Sequence, residues 1–148
     1  MSTAVLSLES CSFSLKEEIM VRASLEATFQ ALLEQLGPGM DTPDGQAMPL
    51  ALEAFPGGRW YRDLGERQGH LWGHVQSIKP PVLLEFCGPL FMSEPVLNNV
   101  QYRLAKTDGG TRIEFRHSAF GPVPEAFRQR MPTGWNHIHS QLRRRVKK

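Results

Sequence analysis

Residues 124–146, PEAFRQRMPTGWNHIHSQLRRRV, form the longest helical pattern in the chain. Their apolar members recur at intervals of three or four positions: Phe127, Met131, Trp135, Ile138, Leu142 and Val146. This spacing places them on one face of a helix, and other parts of the chain must cover that face. Pro132 and Gly134 interrupt the pattern. A proline inside a helix removes one backbone hydrogen bond, so we expect a kink or a break near Met131.

The segments before this helix are mostly strand-like. Residues 12–23 alternate between polar and apolar positions and predict a first strand, with an irregularity around Lys16 to Glu18. Ser24 is a suitable N-cap for a helix that ends at Gly37-Pro38. The turn-forming residues at 37–45 predict a loop, which we expect to help close the mouth of a cavity.

The middle of the chain holds further strand candidates, at residues 50–55, 59–62, 70–78 and 82–88. Glycines and prolines in the intervening turns separate them. Residues 88–98 contain two prolines and no clear period, which predicts a loop or a bulged edge.

The clearest local prediction is the last hairpin, formed by residues 99–105 and 111–117 around the turn Asp108-Gly109-Gly110. Alternation directs six of its side chains to one inner face: Val100, Tyr102, Leu104, Ile113, Phe115 and His117. The order of elements is therefore strand, helix, about six strands and a final helix. It predicts an α+β protein with a curved antiparallel sheet wrapped around the C-terminal helix.

Length and composition fit one domain over residues 1–148, since 41% of the residues are hydrophobic and 22% are charged. No apolar run approaches the roughly 18 residues of a membrane span, and the N-terminus lacks secretory-signal features, so we expect a cytoplasmic protein. Five of the last six residues are basic, whereas residues 1–142 carry 12 basic and 15 acidic groups. This basic end suits a helix dipole. Without interleaved aromatic residues it does not predict a nucleic-acid partner.

The histidines and cysteines show no metal-site spacing. His70 and His74 would lie about 13 Å apart on one strand face, and His137 and His139 diverge around a helix. Both cysteines are expected to be free thiols, with Cys87 a buried small hydrophobe. Phosphate-binding glycine loops and the nucleophile elbow are absent from the sequence. We therefore predict neither a metal nor a cofactor.

Several short motifs occur in an order that carries a family resemblance. They are VRASLEATFQALLEQLG, Pro-Gly-Gly-Arg-Trp at 56–60, GHVQSIKPP, a Gly-Gly-Thr-Arg hairpin leading to EFRHSAFG, and a Gly-Trp near the start of the last helix. Together they resemble the SRPBCC superfamily, with its START-like or helix-grip fold, over roughly residues 12–146. Within it, the chain is similar to the branch named after the C-terminal domain of the activator of heat-shock protein 90 ATPase.

The resemblance implies an antiparallel sheet of about seven strands that grips the C-terminal helix, with a deep cavity between them. Members of the superfamily bind lipids, polyketides, hormones and other apolar molecules, and a few are cyclases or dehydratases. We therefore expect the chain to bind an apolar or aromatic small molecule. Exposed edge strands allow either a monomer or a homodimer. Pro132 and the loop at 37–45 depart from the family pattern, so the resemblance does not determine the shape or the entrance of the cavity.

Seven residues are candidates for the ligand-binding wall: Trp60, Trp72, Tyr102, Phe115, His117, Trp135 and His139. Tyr102 and His117, on neighbouring strands, could pair in a ligand site. Trp135 and His139 are four apart on the helix and share a face. Packing alone is the alternative for each, with His117 bonded to a backbone group near Ser118.

Some strand faces stay undecided by pattern. The inner faces of the strands carrying Trp60 and Trp72 are not determined, although His74 is expected to share a face with Trp72. Glu53 and Glu85 are expected to face solvent, and one pointing inward would be a candidate base.

Two other functions remain open. One is a cyclase-like or dehydratase-like enzyme in which His117 transfers protons, which requires a second titratable group near the ligand. The other is a protein that acts on a chaperone. An exposed apolar patch on the outer face of the sheet would favour that role.

Overall fold

The computed structural model describes residues 7–146 and contains seven strands and two helices. In chain order they are β1 (Ser12–Val21), α1 (Leu25–Leu36), β2 (Ala51–Leu52), β3 (Arg59–Gly65), β4 (Gln68–Lys79), β5 (Leu83–Gly88), β6 (Leu97–Thr107), β7 (Gly110–Phe120) and α2 (Glu125–Val146). The first six residues of the N-terminal stretch, and Lys147 and Lys148 of the basic end, lie outside the described residues.

The strands form one antiparallel sheet in the order β1-β7-β6-β5-β4-β3-β2. Both helices cover its inner face, α1 packs against α2, and α2 also contacts β1. The sheet-facing side chains of α2 are buried: Met131, Trp135, His139 and Leu142. The predicted α+β helix-grip architecture, with a curved antiparallel sheet around the C-terminal helix, is confirmed.

The β6–β7 hairpin has the predicted register. Val100 pairs with His117, and Tyr102 pairs with Phe115. All six side chains assigned to the inner face are buried. Asn98 is also fully buried and extends this face toward the start of β6.

Strand β1 is regular, so the irregularity expected around Lys16 to Glu18 is wrong. The strand pairs with β7 without a register shift from Ser12 to Val21. Glu17 therefore takes an inner-face position between Leu15 and Ile19. A charged side chain thus enters the interior of the grip, where it needs a polar partner.

Strand β4 carries a bulge that separates the faces of Trp72 and His74. The adjacent residues Trp60 and Tyr61 of β3 pair with β4 residues that are not adjacent, so Trp72 is the extra residue. An extra residue shifts the following side chains to the opposite face. Trp72 is accordingly buried and His74 is exposed, and the expectation that they share a face is wrong.

A kink or a break was expected near Met131, and the break does not occur, because helix α2 is continuous from Glu125 to Val146. Pro132 lies on the exposed side of the helix, and Met131 beside it is buried. The missing N–H of a proline leaves one carbonyl of the preceding turn without its helical partner. Packing of the buried face keeps the helix continuous across that point.

Strand β2 is shorter than the predicted strand at residues 50–55. After Leu52 the chain turns, and the Glu53 carboxylate accepts hydrogen bonds from the Arg59 backbone at 2.8 Å and from its guanidinium at 2.9 Å. Glu53 is half-buried at the edge of the sheet, where it closes this turn. This position is compatible with the prediction that Glu53 faces solvent. Neither helix of the described part of the chain is long and apolar enough to cross a membrane.

Candidate functional site

His117 occupies the interior between β7 and α2, where its side chain is fully buried. Trp135 Nε1 donates a hydrogen bond to His117 Nδ1 at 3.0 Å, and His117 Nε2 lies 2.7 Å from Asn98 Oδ1. The Asn98 amide nitrogen donates to the Gly88 carbonyl, so Asn98 Oδ1 is free to accept. His117 is therefore a neutral imidazole with its proton on Nε2, and both ring nitrogens are engaged.

Burial lowers the pKa of His117 to about 4, because the charged imidazolium would lose its hydration. At neutral pH the side chain is uncharged, and neither nitrogen is available to a ligand. The expected hydrogen bond to the backbone near Ser118 is wrong, because both partners of the ring are side chains.

A second chain of buried polar groups joins β6, α2 and β1. The Tyr102 hydroxyl lies 2.9 Å from His139 Nε2, and His139 Nδ1 lies 3.0 Å from Glu17 Oε1. An ionised carboxylate only accepts hydrogen bonds, so His139 donates from Nδ1 to Glu17, and a neutral ring then accepts at Nε2 from Tyr102. Tyr102 pairs with His139 and not, as one sequence interpretation had it, with His117.

The pKa shifts of Glu17 and Tyr102 agree with these hydrogen-bond directions. The hydrogen bond from His139 holds the pKa of Glu17 below its usual range. Burial, together with the nearby Glu17 charge, raises the pKa of Tyr102 well above its ordinary value. Glu17 is thus ionised and Tyr102 protonated at neutral pH.

Aromatic rings fill the space around these polar groups. The Phe115 ring centre lies 5.1 Å from that of Tyr102, 4.8 Å from Trp135 and 4.6 Å from His139. All four residues are buried. The space between the sheet and α2 around Tyr102, His117 and His139 is therefore filled by the protein's own side chains.

An open cavity of about 600 Å³ lies beside α2, between Phe127 and Ile138. The loop at 40–48, strand β4, the loop at 89–96 and α2 form its wall. Most of the lining side chains are apolar: Met40, Pro43, Met48, Trp72, Phe91, Phe127, Met131, Trp135 and Ile138. Gly134 also faces the cavity, and a Cβ added there would meet no atom within 4 Å.

Three aromatic rings make one edge of the cavity. Phe91 lies edge-on to Trp72 at 5.8 Å and to Phe127 at 5.3 Å between ring centres. Behind them Trp60 contacts Trp72 and stacks on Phe86, while its indole N–H donates to the Leu36 carbonyl at 2.7 Å. This edge is supported by buried packing from the sheet.

A polar group interrupts the apolar wall where the loop meets α2. Asp41 Oδ1 lies 2.8 Å from His137 Nε2, and Asp41 Oδ2 accepts from the Gln141 amide at 3.0 Å. Asp41 is fixed by a bridge to Ala47 across a tight turn that contains Gly45 at a positive φ. The loop predicted at 37–45 therefore contributes Asp41 and its neighbours to the cavity wall.

The predicted site residues fall into two groups. Trp72 and Trp135 line the cavity, and Trp60 lies directly behind Trp72. The other four belong to the filled interior: Tyr102, Phe115, His117 and His139.

Other wall residues were missed by sequence reasoning. Phe91 lies in a stretch without period, and Asp41 lies in a glycine-rich loop, so no pattern marked either residue. Phe127 was placed only on the apolar stripe of α2. His137 was dismissed because its nearest histidine diverges from it, although its true partner is an acid 96 positions away in sequence.

Two further predictions concern the outer face of the sheet. Glu85 was expected to face solvent; it lies on this face but is buried beneath the amides of Asn99 and Gln101, which donate to it at 3.1 and 3.0 Å. Cys87 is a free thiol on the same face and is only half-buried, so its prediction as a buried residue is wrong. Within residues 7–146, no group of three or more histidine, cysteine or acidic side chains is arranged to hold a metal ion.

Comparison with known proteins gives a family match. The family model described as Activator of Hsp90 ATPase homolog 1-like protein matches residues 23–147. No curated protein matches the chain.

Solved structures share the fold at low sequence identity. A protein from Chromobacterium violaceum has a TM-score of 0.71 at 15% identity, over 91% of this chain and 97% of that one. The Aha1 dimer from Colwellia psychrerythraea has a TM-score of 0.64 at 16% identity, over 90% and 96%. The di-domain ARO/CYC StfQ from the steffimycin biosynthetic pathway has a TM-score of 0.62 at 9% identity, over 94% and 51%. Identities this low establish a common fold alone.

Proposed function

The chain belongs to the family of Activator of Hsp90 ATPase homolog 1-like proteins, and within this helix-grip fold we propose that it binds an apolar, aromatic small molecule beside α2. The observation that carries the proposal is the cavity of about 600 Å³ with a wall of aromatic and methionine side chains. Ligand sites in proteins are typically concave and apolar, roughly 300–1,000 Å³ in volume, with a few polar groups that orient the ligand. The cavity has each of these properties.

The side chains suggest how a flat molecule would be held. Trp72, Phe91 and Phe127 offer ring edges and faces, which favour aromatic partners. Met40, Met48 and Met131 are flexible and adapt to irregular ligand shapes. In this proposal Trp72 and Trp135 contact the ligand.

The remaining predicted site residues would support the wall from behind. Tyr102, Phe115, His117 and His139 are buried and paired, and they fix Trp135 through the bond from its indole to His117. Trp60 supports Trp72 in the same way. We assign these five residues a positioning role.

The two alternative functions have less support. An enzyme with His117 as acid or base requires a free ring nitrogen, and both nitrogens are engaged. A chaperone-docking role requires an apolar outer face. Leu97 and Phe120 are paired there and are 66% and 55% exposed, but Glu85, Asn99 and Gln101 make the neighbouring surface polar.

The cavity itself can be blocked at one position. Replacing Gly134 by leucine would place a branched side chain in open space, whereas alanine adds one carbon. We would titrate both variants and the wild type with 1-methoxy-4-nitronaphthalene, an uncharged aromatic probe, and follow tryptophan fluorescence. Gly134→Leu is expected to weaken binding by about tenfold or more, because the loss of two methylene-sized contacts suffices for that change. Gly134→Ala should bind within a few-fold of wild type.

Two results would reject the proposal. One is the absence of saturable binding to the wild type, with no ligand released when the natively purified protein is denatured and extracted for mass spectrometry. The other is equal affinity of wild type and Gly134→Leu. Sedimentation at the same concentrations would show whether a second copy of the chain occupies the cavity instead.

A further inference from the structure

The cavity wall holds one pair of titratable groups that the filled interior does not use. His137 and Asp41 both line the cavity, and their side chains are 20% and 23% exposed. They come from different elements, since His137 lies on α2 and Asp41 on the structured loop. The contact between them therefore joins the loop to α2 at the polar edge of the cavity.

Hydrogen bonding places the proton that lies between these two groups. Partial burial raises the pKa of Asp41, but the bonds from Gln141 and His137 outweigh it, so the pKa of that carboxyl lies below its usual range. The carboxylate is ionised and can only accept, so His137 carries a proton on Nε2. Its Nδ1 has no hydrogen-bond partner among residues 7–146.

The surrounding charges leave this arrangement intact. Arg145 donates to Gln35 and to the Gly39 carbonyl, so its positive charge lies beside the segment that leads to Asp41. Arg144 is held by Gln141, and Arg130, also in the cavity wall, lies over the Phe127 ring. Asp41 is the acid that hydrogen-bonds to His137 within the described residues.

We propose that His137, oriented by Asp41, is the polar subsite of the cavity and takes the ionisable hydroxyl of an aromatic ligand, a phenol or an enol. The ligand O–H would donate to His137 Nδ1. When the hydroxyl is acidic enough, its O–H bond breaks and an Nδ1–H bond forms, giving a phenolate beside an imidazolium that Asp41 stabilises. This inference rests on the proposed function of the cavity and adds the chemical class of its ligand.

The matched probe pair 4-nitro-1-naphthol and 1-methoxy-4-nitronaphthalene tests the subsite. They differ by one methyl group on the oxygen, and the naphtholate absorbs at longer wavelength than the neutral form. We expect the wild type to bind the naphthol about tenfold more tightly than the ether, as for a hydrogen bond to a charged group. We also expect the hydroxyl of the bound naphthol to ionise at a lower pH than that of the free probe, as followed by the naphtholate absorbance.

Two substitutions should remove this preference. Asp41→Asn and His137→Gln are expected to bring naphthol and ether affinities to within a few-fold of each other, and to abolish the lowered ionisation pH of the bound naphthol, while ether binding persists. His74→Gln makes the same change at an exposed position of β4 and should behave as wild type.

The possible failures are distinguishable. If the ether does not bind to the wild type, the cavity proposal itself fails. If the ether binds but the naphthol shows no preference, or keeps its preference in both Asp41→Asn and His137→Gln, the subsite is overturned while the cavity stands. Circular dichroism and urea unfolding of each variant would confirm that it is folded.

Discussion

Two parts of α2 meet the rest of the protein in different ways. Toward the C-terminal end of α2, His139 and Leu142 are buried against the sheet, and both ring nitrogens of His139 are hydrogen-bonded. Between Phe127 and Ile138, Met131 and Trp135 are the buried residues, and one side of the helix faces an open cavity. The helix thus closes one region by complete packing and leaves the other free for a ligand, and each region should respond differently to substitution.

The largest expected difference is between two phenylalanines. Phe115 is buried among rings in the filled region, so Phe115→Ala should lower the free energy of unfolding by about 3–5 kcal/mol. Phe91 at the cavity edge is 38% exposed, and Phe91→Ala should cost about 1 kcal/mol, the size of an aromatic pair contribution. Urea unfolding of both variants measures the two values.

The comparison of the two regions would fail if the two phenylalanine variants lost similar stability. Equal losses would mean that the cavity edge is as tightly packed as the interior. Phe91→Leu provides a control, since it keeps most of the apolar area and should change stability less than Phe91→Ala.

The next effect concerns the pH dependence of stability in the filled region. The pKa of His117 is lowered by burial from 6.5 to about 4. Above pH 6.5 both the folded and the unfolded chain carry a neutral imidazole. Below pH 6.5 the His117 imidazole binds a proton in the unfolded chain, whereas in the folded chain it stays neutral until about pH 4. Stability should therefore fall by about 1.4 kcal/mol per pH unit between these values, and by about 3 kcal/mol in all.

The histidine contribution can be isolated by variant and by pH window. Glu17 has a lowered pKa, so its stabilisation is present above 4.5 and is lost only as the pH falls through the lowered value. Urea unfolding between pH 6.5 and 5 therefore avoids it. His117→Gln should show a shallower pH slope than wild type, and an unchanged slope would show that His117 does not titrate as inferred.

Sequence periodicity was sufficient for the regular parts of both regions. The alternation of Tyr102 and Leu104 against Ile113 and Phe115 gave the hairpin face, because one buried face imposes a strict period of two. The apolar stripe of α2 likewise identified Trp135 as a buried residue. These features depend on neighbouring residues along the chain.

The features that period alone could not give depend on distant partners or on one extra residue. The strand was interpreted as irregular around Glu17, because a carboxylate at an inner-face position needs a polar partner. That partner is His139, which lies 122 positions later in the sequence. The bulge at Trp72 leaves no trace in composition yet reverses the face of His74. The cavity wall combines two loops with α2, and loops carry no period from which Asp41 or Phe91 could be placed.

The smallest expected effect is at Gly134, and it tests why the cavity exists. A glycine inside a helix costs about 0.5–1 kcal/mol relative to alanine, so Gly134→Ala should stabilise the protein by that amount, because the added Cβ meets no atom within 4 Å. Thr133→Ala, one position earlier on the helix, removes no glycine and should gain less. If Gly134→Ala instead destabilises the fold, the space beside α2 is already occupied. Suppose that Gly134→Ala is more stable than wild type, and that Gly134→Leu is also more stable but no longer binds the probe. The wild-type helix then carries a less stabilising residue at the position where a larger side chain would close the ligand site.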